Sequence, residues 1–149
     1  MQADDIQQIH RWLSNESLFR TLRAEPPNLA LPMQVLVVML EDGTRVGWVE
    51  VFNVDQGNRK CEVGIAIPSR RGRGLSRRVG KHALRWLFGE AGMNRVYARI
   101  PESNRLSIRL VESLGFTHEG IEREALLRDG RFEDIHVYAM TRTDFKGGR

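Results

Sequence analysis

Cysteine occurs once in this chain, at Cys61. A single thiol closes no internal disulfide and builds no metal centre, so stapled secreted scaffolds and cysteine-based zinc sites are excluded and no metal is expected. Lysine is nearly as scarce, since 20 of the 23 basic residues are arginine. Aromatic residues make up 7% of the chain and none interleaves with its arginine cluster, so single-stranded nucleic acid would lack its usual stacking platform. No apolar run approaches the roughly 20 residues that a membrane-spanning helix needs. The longest, Val35 to Leu40, is strand-sized. No basic segment followed by an apolar one opens the chain, so no secretory leader is expected. These absences point to a cytoplasmic protein without membrane contact, and 149 residues suit one domain spanning 1–149.

The net charge of +4 is modest but unevenly placed. Arg70, Arg71, Arg73, Arg77, Arg78 and Lys81 fall close together. A uniformly basic surface would suggest nucleic acid. A local cluster suggests either a local anion or a solvated helix face.

Periodicity gives the element order. Asp4 or Asp5 can cap a first helix with Ile6, Ile9, Trp12 and Leu13 on one face, and Asn15 to Leu22 suggests a second. Pro26 and Pro27 end helical structure. Strands are expected at Gln34 to Glu41, Arg45 to Val54 and Arg59 to Ile67, with turn signals at Asp42-Gly43 and Gly57-Asn58. A helix from Leu75 to about Ala91, with Gly92 as its C-cap, carries Leu75, Val79, Ala83, Trp86 and Leu87 at helical spacing. A strand follows at Arg95 to Ile100. A helix capped by Ser103 or Asn104 then runs to Gly115 with Leu106, Leu110, Val111 and Leu114 inward. Strands Phe116 to Leu127 and Phe132 to Met140 flank the hairpin signal Asp129-Gly130. The helix between the strands ending at Ile67 and Ile100 makes those two parallel neighbours in a mixed, mostly antiparallel sheet. The tail from Lys146 to Arg149 is expected to be mobile.

The most informative segment runs from Ile65 to Ser76, where a strand leads through a glycine- and arginine-rich loop into a helix. The first turn of a helix offers backbone N–H groups without internal partners, and its dipole favours anions. Gly72 and Gly74 allow the backbone to approach a ligand closely, and Arg71 and Arg73 add charge. A Walker loop is excluded because no Gly-Lys-Ser/Thr occurs. A dinucleotide fingerprint fails because its third glycine would fall at Arg77. On these features alone, a pyrophosphate cradle and an ordinary strand-to-helix turn both remain open.

Arg71-Gly72-Arg73-Gly74-Leu75-Ser76 resembles the coenzyme A loop of the GNAT N-acetyltransferases, Q/R-x-x-G-x-G/A, with Ser76 where Gly or Ala is usual. Asn104-Arg105-Leu106-Ser107-Ile108-Arg109, followed by Glu112, Leu114-Gly115-Phe116 and Glu119-Gly120, is similar to the second signature of the RimJ/RimL-type branch. Asp129 to Asp134 and Tyr138-Ala139-Met140 fit the same branch, so the resemblance covers about Val46 to Met140.

The resemblance implies an α+β fold: a mixed, mostly antiparallel central sheet with helices on both faces and a V-shaped splay between two parallel strands, which opens after a bulge. It implies acetyl-coenzyme A as cosubstrate, its pantetheine pairing with the backbone of Ile65, Ala66 and Ile67 and its pyrophosphate on the loop amides of Arg71, Gly72, Arg73, Gly74, Leu75 and Ser76. Asn104 and Arg109 join this coenzyme-binding set. The amine attacks the thioester directly, so Cys61 is not needed as a nucleophile. Asn104 and Ser107 lie one helical turn apart. Ser107 is either the proton donor to sulfur or a residue that only caps backbone. Val111 stands where other GNAT enzymes place a tyrosine acid. The usual carboxylate bases are absent at Arg99 and Leu126, which leaves Glu62 or an ordered water to take the amine's proton. His10, His82, His118 and His136 show no partner pattern. A first strand common in the family has no counterpart before Asp4.

The expected function is therefore N-acetyl transfer to a peptide N-terminal α-amine or a small-molecule amine, with a homodimer as an open assembly. A catalytically silent acyl-coenzyme A sensor and a basic nucleic-acid-binding module are the alternatives.

Overall fold

Alternating apolar residues in the middle of the chain build a sheet from strands that each bury one side against helices. The computed structural model describes residues 34–39, 45–67 and 74–145. The expected helices before Pro26, the Asp42-Gly43 turn, Arg70 to Arg73 and the tail from Lys146 lie outside the described residues. The described elements are β1 (Gln34–Met39), β2 (Arg45–Asp55), β3 (Lys60–Ala66), α1 (Leu75–Phe88), β4 (Arg95–Pro101), α2 (Arg105–Leu114), β5 (Thr117–Arg128) and β6 (Arg131–Thr141). The strands form one sheet in the order β1-β2-β3-β4-β6-β5. Only β3 and β4 are parallel, and α1 is the crossover between them.

Val49 and Val51 of β2, Cys61 and Val63 of β3, and Val96, Ala98 and Ile100 of β4 share one face and pack with α1 and α2. Ala83, Leu84, Leu87 and Phe88 are the buried side of α1; Ile108 and Val111 are that of α2. The inward stripe expected for α2 is thus rotated. Leu110 and Leu114 line a cleft, Ile108 faces the core, and Leu106 stands 61% exposed. The expected C-cap also shifts: α1 ends at Phe88, where the Gly89 amide donates to the Arg85 carbonyl, and Gly92 instead shapes the next turn with φ 68°. Both described helices lie on one face. The segments expected to supply helices to the other face lie outside the described residues.

Asp129 and Gly130 both have positive φ, 49° and 75°, and join the paired residues Arg128 and Arg131. This is the backbone twist that a two-residue hairpin requires and that Asp-Gly tolerates. The bulge expected at the splay occurs on β2, not β3. The β2–β3 register slips between Phe52 and Asp55, where Asn53 takes φ 49°, while Glu62 to Ala66 of β3 keep an unbroken register with β2.

Candidate functional site

Parallel pairing between β3 and β4 covers only Lys60↔Arg95, Cys61↔Val96 and Glu62↔Tyr97. Beyond that point each strand keeps its outer neighbour: β3 stays on β2 through Ala66↔Trp48, and β4 stays on β6 through Pro101↔Ile135. The two strands therefore part, and among the described residues the edge of β3 that faces β4 has no strand partner from Val63 to Ala66. Such an edge is a row of backbone donors and acceptors ready to pair with an extended ligand.

The gap opens into a cleft of about 460 Å³, counting its mouth. Val63, Ile65, Ala98 and Ile100 line the strand side, and Gly80, Leu110, Val111 and Leu114 line the helix side. A Cβ at Gly80 would sit 2.6 Å from Leu114 Cδ1, so the crossing of α1 and α2 that roofs the cleft depends on that glycine. Among the described lining residues Ser107 alone carries a polar side-chain atom. Val111 keeps the wall apolar where the resemblance would place a tyrosine.

The two helices that line the cleft begin differently. At α1, Gly74 is left-handed with φ 66°, no described side chain caps the first turn, and that turn holds no acidic residue. A Cβ at Gly74 would meet nothing within 4 Å. Arg77, Arg78 and Lys81 are exposed, while Leu75 and Ser76 are half-buried. Arg71, Gly72 and Arg73 lie outside the described residues. At α2, Asn104 is 8% exposed and its Oδ1 accepts the Ser107 N–H at 3.2 Å. Asn104 is thus the cap, and Ser107 is the residue whose amide is capped. Ser107 lines the cleft and is not the cap. Arg109 is exposed, its Nε donating to the Arg105 carbonyl at 3.4 Å.

Glu62 sits where the strands part, on the face away from α1 and α2, and is 5% exposed. Asn53 Nδ2 donates to its Oε2 at 2.8 Å. Two residues along the same face, Glu50 is 7% exposed and its Oε1 accepts the Trp48 indole N–H at 3.0 Å. Tyr97 pairs with Glu62 across the parallel ladder. Its phenol pKa is raised, first by burial and then by the charge of Glu62. Arg99 follows on β4, but it is not an unopposed cation: its guanidinium bonds Glu122 of β5. That contact raises Arg99 and lowers Glu122, whose carboxyl is held below 4.5 chiefly by the hydrogen bond. Leu126 is half-buried and pairs with Glu133. Cys61 lies fully buried on the helix face, and burial pushes its thiol up to about 11, which suits packing and not nucleophilic chemistry.

The β5–β6 hairpin braces the start of α2. Arg128 Nη1 donates to Ser103 Oγ at 3.1 Å, Glu133 Oε2 accepts the Ser103 N–H at 3.2 Å, and the two side chains pair at 3.2 Å. The histidines expected to lack partners include one pair: His136 Nδ1 lies 3.1 Å from His118 Nε2. His82 is exposed, and His10 lies outside the described residues. Glu50, Asn53 and Tyr97 escaped the sequence reading. Strict alternation would aim Asn53 with Val51 toward the helices, and only the bulge turns it to Glu62.

A family model described as an acetyltransferase (GNAT) domain matches residues 1–117. YdaF of Bacillus subtilis, described provisionally as a ribosomal N-acetyltransferase, is 30% identical over 110 residues, 73% of this chain and 60% of its own length. The ribosomal protein uS5-alanine N-acetyltransferase of Escherichia coli is 30% identical over 70% of this chain and 55% of its own. The chain therefore spans less than two thirds of the length of these relatives. A spermidine N-acetyltransferase from Vibrio cholerae, solved with CoA and spermine, superposes with a TM-score of 0.87 at 21% identity, covering 97% of this chain and 94% of that one. Among the described residues no helix is long and apolar enough to cross a membrane, and no group of three or more metal-ligating side chains occurs.

Proposed function

The chain belongs to the GNAT acetyltransferase family, and on that footing we propose that it transfers the acetyl group of acetyl-coenzyme A directly to an amine, as a RimJ/RimL-type enzyme. The observation that carries this reading is the apolar cleft between parted parallel strands with Ser107 as its polar side chain. Acetyl-coenzyme A supplies an activated thioester. The open edge of β3 at Ile65 and Ala66, continuing into Ile67, holds the extended arm of the coenzyme. The amides from Arg71 to Ser76 hold its pyrophosphate, with the uncapped α1 terminus behind them. Arg109 and the other exposed cations near the mouth contribute charge.

The amine nitrogen bonds the acetyl carbon and the carbon–sulfur bond breaks. Glu62 takes the proton from the amine. Ser107 gives one to the departing sulfur and recovers it from solvent. Asn104 fixes the first turn of α2 so that Ser107 faces the cleft. The buried carboxylates of Glu50 and Glu62 on the acceptor face weigh against a silent sensor. A lone reduced cysteine is consistent with work in the cytoplasm.

The acceptor is an α-amine or another amine of low pKa. An α-amine titrates near 8 and a lysine near 10.4, so at neutral pH the α-amine is roughly a few hundred times more often neutral. The relative that acts on alanine of ribosomal protein uS5 supports this class. A turnover screen with acetyl-coenzyme A compares free N-terminal peptides, N-blocked lysine peptides, polyamines and simple amines of graded pKa. Free N-termini are expected to react fastest. Faster turnover of blocked lysine peptides or of polyamines overturns the α-amine preference, and no turnover of any amine overturns the enzyme reading.

A further inference from the structure

Asn53 occupies a left-handed conformation, φ 49°, near the C-terminal end of β2, where the ladder to β3 slips by one residue. A bulge whose first residue is left-handed ordinarily carries glycine, because a Cβ is strained there. Asparagine is among the side chains that tolerate the position, yet tolerance does not explain its choice over glycine. The hydrogen bond does. The bulge places two successive side chains, Phe52 and Asn53, toward the β3 residue Glu62. Phe52 pairs with it in register, and the Asn53 amide donates to Glu62 Oε2 at 2.8 Å. The other left-handed non-glycine residues, Arg59, Glu124 and Asp129, lie in turns or in the edge-strand bulge. Asn53 is the one among the described residues that meets a buried carboxylate.

We infer that Asn53 is a positioning residue for Glu62: the β2 bulge aims its amide at one carboxylate oxygen and so turns the carboxylate toward the acceptor amine where β3 and β4 part. This rests on the acetyl-transfer reading and adds to it a residue that touches neither substrate. An amide N–H bonded to a carboxylate favours the ionised form, which is the form that accepts a proton. Among the described residues, the other groups near Glu62 are Glu50 from β2, Tyr97 and Arg99 from β4, and Glu122 from β5 through Arg99. Arg99, although it also bonds Glu122, feels the charge of Glu62 and so favours its ionised form, and the Asn53 side chain also hydrogen-bonds Tyr97. Among the described residues, the Asn53 amide makes a direct 2.8 Å hydrogen bond to Glu62 and so helps to keep it ionised and oriented.

The variant that separates positioning from backbone structure is Asn53→Gly. Glycine suits the left-handed backbone, so its thermal stability is expected to equal or exceed that of the parent. Its kcat is expected to fall about tenfold, less than the roughly 10²–10⁴-fold that a positioned proton-transfer group itself contributes, with KM for acetyl-coenzyme A within about twofold. The acidic limb of its kcat/KM profile moves to higher pH, and the Glu62 carboxyl, followed by carbon NMR without any substrate, titrates higher than in the parent. Asn53→Asp keeps the shape but replaces the donor with a second carboxylate, and it is expected to raise the Glu62 titration further. If Asn53→Gly titrates Glu62 like the parent, or keeps parental kcat and pH profile, the inference is overturned and the bulge is only local structure. The NMR readout stands whether or not an acceptor is found, so a failed acetyl-transfer reading is told apart from a failed positioning role.

Discussion

The helices α1 and α2 line one cleft, and their N-termini solve the same problem in opposite ways. Each helix begins with amides that have no internal partner. At α2 the chain satisfies one itself, through the buried Asn104 side chain on the Ser107 amide. At α1 no described side chain does so: Gly74 has none, the first turn has no acid, and Arg77, Arg78 and Lys81 are exposed cations. An end already capped has less to offer an anion, and an end left open by a glycine has more. The difference divides the labour, so that α1 contributes backbone to the cleft mouth and α2 contributes the Ser107 side chain to its wall.

The sharpest way to break this division is Ser107→Ala. A positioned acid contributes on the order of 10²–10⁴-fold, so kcat should fall within that range while calorimetric affinity for acetyl-coenzyme A holds. Parental turnover would make Ser107 mere lining. Next in size is Gly80→Val, at the contact that sets the two helices beside each other. Its side chain runs into Leu114, and overpacking of this kind costs about 1–3 kcal/mol, readable as a lower urea midpoint at unchanged m-value.

Gly74→Val tests the open end. A left-handed β-branched residue costs about 1–2 kcal/mol, and the added bulk should also hold phosphates off the amides and weaken coenzyme binding. Parental binding should itself weaken as salt is raised, since the cations there are exposed. Affinity indifferent to both changes would remove the α1 terminus from the site. Asn104→Ala tests the closed end. Losing the cap is expected to cost about 1 kcal/mol and to lower kcat with little change in coenzyme affinity or its salt response. If it instead weakens coenzyme binding as Gly74→Val does, the two ends are not divided as described.

The smallest effect belongs to the Arg99–Glu122 pair, a control outside both helix ends. Both side chains are more than a third exposed, so the pair contributes at most about 1 kcal/mol. The folded-state pKa of Glu122 is lowered, so its contribution is full above 4.5 and is lost as pH falls through the lowered value. Glu122→Gln should therefore show a slightly shallower loss of stability on acidification, with stability unchanged once the pH lies below the lowered value.

Much of the frame was legible because it rests on local periodicity. The strands from β2 to β6 and both described helices lie within a few residues of the expected bounds, since alternation and helical spacing report burial directly. The Asn104 cap and the Asp129-Gly130 turn were legible because their chemistry is carried by one or two residues. The misses arise where burial is shared between two environments. On α2 a cleft takes one flank of the helix, so Leu110 and Leu114 face a gap, Ile108 takes the core, and Leu106 is left outside. Gly92 read as a helix end because the apolar pattern runs on through Ala91, but the helix closes three residues earlier on Gly89.

The sequence by itself determined the order of elements, the parallel crossover through α1 and the glycine opening of that helix, because each follows from residue spacing along one stretch of chain. Only the tertiary structure decided where β3 and β4 stop pairing, that Ser107 is the polar side chain of the described cleft wall, and that Asn53 meets Glu62. These depend on a one-residue slip in the β2–β3 ladder and on the packing of Gly80 against Leu114. Such features join residues 9 and 34 positions apart, and no local pattern records which backbone bends to bring them together.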